Sequence, residues 1–200
     1  MLEKIYTIPV NEAFDLCKDD PAQGCPFCHL RRRLENDEIE IILGASMMEP
    51  DVRIKTNEQG FCRLHYDLMF TRKNRLGMAL TLESHLDDLT KEIKDTGLGG
   101  GMGNKPIKRI GALESTCYTC KRIEFNFRHM VETVVILWND DPDFDAKLKA
   151  QPYICLPHYR MILECGQKRL SKKKQQEFAK ICSGVVETYM AELKDDVSWF

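Results

Sequence analysis

Two sets of cysteine and histidine recur in the same order along this 200-residue chain, and they restrict its fold more than any other feature. The first is Cys25-Pro26-Phe27-Cys28 and, after 33 residues, Cys62-Arg63-Leu64-His65. The second is Cys117-Tyr118-Thr119-Cys120 and, after 34 residues, Cys155-Leu156-Pro157-His158. Each reads C-x2-C, a long gap, then C-x2-H. The flanks agree as well: Glu49-Pro50-Asp51 maps onto Asp141-Pro142-Asp143 at an offset of 92, and Tyr66 maps onto Tyr159 at 93. Agreement in order, spacing and flanks reads as an internal duplication.

Thiolate sulfur with imidazole nitrogen suits tetrahedral zinc, and two intervening residues let both members of a pair reach one ion. On a helix, Cys62 and His65 stand one turn apart on one face, as do Cys155 and His158. The expectation is two Cys3His zinc ions per chain. Cys25, Cys28, Cys62 and His65 would hold one, and Cys117, Cys120, Cys155 and His158 the other. Four protein ligands close the coordination sphere, so each site reads as structural. Arg31, Arg63, Lys121, Arg122 and Arg160 flank the sets and favour thiolate.

Two other chemistries share the first motif. Cys25-Pro26-Phe27-Cys28-His29 matches c-type haem attachment. Its counterpart ends in Lys121, however, and haem leaves both Cys-x2-His pairs unexplained. A thioredoxin-like role needs a βαβ pattern, which the sequence lacks. Cys17, Cys165 and Cys182 lie outside the sets.

The pattern of apolar residues predicts an all-α fold. Residues 4–10 read as extended, and Asn11 as the cap of a short helix over 12–18. Asp19 to Gly24 is turn chemistry. A helix is expected from Pro26 to about Gly44, then a loop from Glu49 to Gly60, then one long helix from Cys62. On that helix Ala79, Leu82, Leu86, Leu89 and Ile93 form a heptad-like stripe, expected to pack internally or to make a dimer seam. Five glycines among residues 97–104 predict a linker over 97–105. It would separate an N-terminal zinc half, 1–96, from a C-terminal one, 106–200. A second-half helix from about Thr119 uses Ile123, Phe127, Val131, Val134 and Trp138 and stops at Asn139–Asp143. Another starts near Leu156, and Ser171 caps a last one. Within each half, the loop is long enough to double back, so that both ligand-bearing helices start beside the same ion with dipoles favouring thiolate.

Charge excludes little but ranks partners. Residues 1–96 carry 13 Lys and Arg against 18 Asp and Glu, and residues 97–200 carry 16 against 13. Neither is the basic body of a nucleic-acid binder. No segment has the run of apolar residues of a membrane helix, and the start of the chain is not a signal peptide. A cytoplasmic protein with reduced thiols is expected.

Several segments resemble an uncharacterised bacterial family known only as a domain of unknown function. They are Lys4 to Phe14, Cys25 to Cys28, Met48-Glu49-Pro50-Asp51-Val52-Arg53, Phe61 to His65 and Lys73-Asn74-Arg75-Leu76-Gly77. The resemblance implies a bacterial cytoplasmic protein, supplies no activity, and implies that this chain is shortened at its C-terminus. The leading functional reading is a non-catalytic zinc protein that binds another protein. One alternative is a thiol-redox or zinc-responsive regulator using Cys17, Cys165 and Cys182. Another is a nucleic-acid binder using Lys105, Lys108, Arg109, Lys121, Arg122 and Lys172–Lys174. An enzyme would have Glu49, Asp51, Asp141 and Asp143 available, but these carboxylates read as turn and cap residues.

Overall fold

The computed structural model describes residues 3–94 and 104–200, with side chains from residue 5 onward in the first segment. Among these residues there are ten α-helices, two 3-10 turns and no strand. The helices are α1 (Glu3–Asp19), α2 (Pro26–Leu43), α3 (Pro50–Gln59), α4 (Arg63–Thr71), α5 (Arg75–Lys94), α6 (Asn104–Ser115), α7 (Tyr118–Asp140), α8 (Pro142–Lys149), α9 (Leu156–Arg169) and α10 (Lys172–Ser198). Helices that carry the candidate ligands occur as α2 and α4, then as α7 and α9, each pair separated by a short helix that opens on proline. No helix is long and apolar enough to cross a membrane among the described residues.

The chain divides into two compact units, but not at the glycine-rich stretch. One unit is Met1–Arg33 with Asn126–Phe200, and the other is Leu34–Phe125. The divisions fall inside α2 and α7, so each unit takes one end of each helix. Of the expected linker, 97–103 lie outside the described residues, while Asn104 and Lys105 open α6.

Three local expectations are corrected. Residues 4–10 are helical, not extended. Their β-branched residues suggest a strand, but Val10, Ala13, Phe14 and Cys17 are buried at helical spacing. Packing outweighs propensity there. Asn11 is consequently inside α1, where its amide donates to the Thr7 carbonyl at 3.0 Å. Lys147 bonds both Asn11 and Asp15, and Gln151 donates to the Phe14 carbonyl at 2.9 Å.

The expected loop 49–60 contains α3. Pro50 occupies its first turn, where a missing N–H costs nothing, and Gly60 ends it at φ 58°. The helix has almost no apolar stripe, which hid it. The expected long helix from Cys62 is two. It breaks at Arg72–Asn74, because Asn74 caps α5 by accepting from Gly77 N–H at 2.9 Å while its amide donates to the Leu43 carbonyl. The face of α5 that is buried is Gly77, Met78, Thr81 and His85. The heptad-like stripe is displaced from it, leaving Leu86 and Ile93 exposed.

In the first unit, Phe14 meets Phe27 edge-on at 5.4 Å and Phe144 at 5.1 Å, and Trp138 packs on Phe178 at 4.7 Å. In the second, Ile39, Ile42, Leu43, Phe61, Met69, Met78 and Tyr118 form the core together with Cys117. The last carbonyls of α3 are all claimed. Arg109 donates to Asn57 and Glu58, Thr116 to Gln59, and Tyr118 N–H to Gly60. These bonds satisfy groups a helix end leaves open, and they bring the start of α7 beside the start of α4.

Candidate metal centres

Every candidate ligand pair has the same local structure. Cys25, Cys62, Cys117 and Cys155 each immediately precede a helix, and their carbonyls accept from the N–H four residues on, at 2.8–3.1 Å. The second members, Cys28, His65, Cys120 and His158, fall in the first turn. A pair thus places two side chains at a helix N-terminus, where the dipole favours anionic sulfur.

All eight residues come together, but in exchanged sets. Cys25 and Cys28 meet Cys155 and His158, all in the first unit; Cys62 and His65 meet Cys117 and Cys120, all in the second. The sequence-based grouping of Cys25, Cys28, Cys62 and His65 around one ion, and of the other four around another, is therefore corrected. The reason lies in α3. A doubling-back loop needed extended chain at about 3.3–3.6 Å per residue. Helical residues advance only about 1.5 Å each. With most of 45–59 helical, the segment after α2 loses much of its reach, and the bonds from Arg109, Thr116 and Tyr118 to the end of α3 hold Cys62 beside Cys117 and Cys120.

The geometry fits a tetrahedral ion. Within each cluster one ligand atom per residue lies within 4.8 Å of the others. Cys28 and Cys155 sulfurs are 3.7 Å apart, and those of Cys62 and Cys120 are 3.8 Å. A disulfide would need about 2.05 Å, whereas the edges of a zinc tetrahedron are about 3.8 Å between sulfurs and about 3.6 Å from sulfur to nitrogen. His158 Nδ1 lies 3.7, 3.4 and 3.0 Å from Cys25, Cys28 and Cys155. His65 Nδ1 lies 3.1, 3.2 and 3.4 Å from Cys62, Cys117 and Cys120. Both histidines thus present Nδ1 to the sulfurs. In each cluster one cysteine and the histidine are buried, and two cysteines are partly exposed.

Burial dominates the metal-free electrostatics. It pushes the Cys25 thiol far up, against the pull of backbone N–H groups, and raises Cys28 too. Burial and then Cys117 push Cys120 up to about 12. His158 is lowered by burial and then by Arg31. A cation entering either cluster therefore displaces thiol protons.

Away from the clusters, Cys17 and Cys182 are fully buried. Burial raises both, Cys182 to about 12, and it raises Cys165 together with Glu132. Buried neutral thiols are unreactive. Of the four carboxylates at matched positions, Asp141 caps α8 by accepting from Asp143 N–H at 3.0 Å, and Glu49 takes the corresponding place before α3. One partner escaped the sequence reading: Glu35 Oε1 lies 3.2 Å from His65 Nε2. Its only signal is the position of an acid two turns beyond Cys28 on α2.

The chain belongs to a family of unknown function, DUF6062, whose model matches residues 1–200. No curated protein and no solved structure matches it.

Proposed function

We propose that this is a non-catalytic protein in which each Cys3His cluster holds one zinc ion as a closed structural site, and whose folded units serve to bind another protein. The observation that carries the metal reading is the pair of clusters, each with two sulfurs separated by the edge length of a zinc tetrahedron and a histidine Nδ1 3.0–3.7 Å from all three sulfurs. The repeated helix order and the matched ligand spacing support descent of the two halves from one duplicated segment. Each ion would join segments far apart in sequence: Cys28 with Cys155, and Cys62 with Cys120. Structural zinc contributes on the order of 10 kcal/mol or more to folding, enough to decide whether a unit of this size is folded.

A protein partner is favoured over nucleic acid by the use of the cations. Arg122 pairs with Glu38, Arg109 with Glu92 and two carbonyls, and Lys174 with Glu177 at 3.5 Å. Ion pairing of this kind leaves less charge for phosphates. Leu86 and Ile93 of α5 and Ile107 and Ile110 of α6 are exposed, the kind of apolar surface that partners cover.

Elemental analysis of the full chain purified without added metal tests the central claim. Two zinc per chain is expected, with helical circular dichroism lost under a strong chelator and regained on zinc addition. Iron in place of zinc, or full helicity without metal, would overturn the reading.

A further inference from the structure

The duplicated helices α2 and α7 bring the same position to the ligand imidazole in each unit, but with opposite chemistry. Glu35 and Phe127 are 92 residues apart, the offset that relates Cys25 to Cys117 and Cys28 to Cys120. Glu35 Oε1 lies 3.2 Å from His65 Nε2. Phe127 instead packs its ring on that of His158, with centroids 5.2 Å apart. A second pair repeats the contrast. Phe27 lies against His158 at 5.7 Å, whereas its counterpart Thr119 is a fully buried hydroxyl residue. Arg31 also sits over the Phe127 ring, 5.9 Å from its centroid. Exposure does not distinguish the clusters, since corresponding ligands have the same burial in both. The surroundings of the imidazole do differ.

Resting on the zinc reading above, we infer that Glu35 is a positioning residue for His65, and that it makes the Cys62, His65, Cys117 and Cys120 centre the more tightly held of two unequal sites. With Nδ1 turned to the sulfurs, His65 carries its proton on Nε2 and donates it to the Glu35 carboxylate. That bond fixes the tautomer and ring orientation and makes Nδ1 a stronger donor to the metal. His158 is held by two phenyl rings instead. They restrict its orientation but do not polarise it, and no acidic side chain among the described residues hydrogen-bonds to it. Zinc would leave the Cys25, Cys28, Cys155 and His158 centre first.

The test is zinc transfer from the loaded full chain to a chromophoric chelator, with zinc content measured beforehand. Two phases of one zinc each are expected. Glu35→Ala should speed the slow phase on the order of ten- to a hundredfold and leave the fast phase unchanged. Glu35→Gln, whose amide oxygen still accepts from Nε2, should restore most of the difference. Nitrogen-15 histidine spectra should show one Nε2 proton protected from solvent exchange in the parent and exposed in Glu35→Ala, which a merely structural role would not produce. Two bound zinc ions with both release rates unaffected by Glu35→Ala, or accelerated equally, would overturn the inference and leave the zinc reading intact. A chain without zinc would overturn the zinc reading itself.

Discussion

Tyr118 donates its backbone N–H to the carbonyl of Gly60 at 3.0 Å, tying the first residue of α7 to the residue that ends α3. Two residues beyond Gly60 is Cys62, and two beyond Tyr118 is Cys120, so this bond aligns two candidate ligand pairs from distant parts of the chain. Gly60 makes the junction possible. Its φ of 58° and ψ of −162° lie in a region essentially reserved for glycine. A Cβ there would also meet Leu113 at 3.0 Å and His85 at 3.4 Å. Gly60→Ala is expected to destabilise the second unit by roughly 1–3 kcal/mol, measured by denaturant unfolding of the zinc-loaded chain. Zinc at the Cys25 centre should be unaffected.

The exchanged ligand sets give a test by double substitution. Cys25→Ser with Cys155→Ser should remove one zinc, because both residues belong to one cluster. Cys25→Ser with Cys62→Ser should remove both, because each belongs to a different cluster. Grouping by sequence proximity requires the reverse pattern, so zinc stoichiometry of the two double variants decides between them.

What the sequence made legible follows from where periodicity and caps coincide. The helices beginning at Pro26, near Thr119, near Leu156 and after Ser171 carry broad apolar stripes, and they are present as α2, α7, α9 and α10. All eight ligand candidates were legible because C-x2-C and C-x2-H each set two side chains on one helix start. Their grouping was not, since any such Cys-Cys pair can share an ion with any such Cys-His pair. The information that decides it lay in 49–60. Glu49-Pro50-Asp51 and the Gln59-Gly60 ending are helix boundary signals, but Val52 and Ile54 make too weak a stripe to outweigh a loop assignment. Glu35 was invisible for a different reason: an acid on a charged helix has no local mark of its partner 30 residues away.

The Lys73-Asn74-Arg75-Leu76-Gly77 segment is a packing junction. A Cβ on Gly77 would stand 2.2 Å from the Leu43 carbonyl oxygen, the backbone atom at the end of α2. Gly77→Ala must therefore push α5 away from α2, and a loss above about 1 kcal/mol is expected, as for other overpacked sites. Asn74→Ala removes the cap and the bond to Leu43, and should cost roughly 0.5–2 kcal/mol. Thermal unfolding of both variants in the zinc-loaded state checks the order, with Gly77→Ala the more damaging.

Acid and alkali should act oppositely on the metal-loaded and metal-free chains. Without metal, folding raises the thiols of Cys25, Cys28 and Cys120 above their ordinary value near 9.0. A group raised on folding stabilises the fold below its unfolded pKa, and that contribution is lost as pH rises toward the folded value. Whatever helicity survives removal of zinc should therefore fall further above about pH 9. With zinc bound, the thiols are deprotonated and protons become the competitor. Cys25 and Cys28 both enter as neutral thiols at pH 7, so loading their centre releases at least two protons. Its apparent zinc affinity should fall on the order of a hundredfold per unit of acidification. Chelator competition from pH 8 to pH 6 measures that slope. A slope near zero would mean that the metal does not displace the protons of the two thiols.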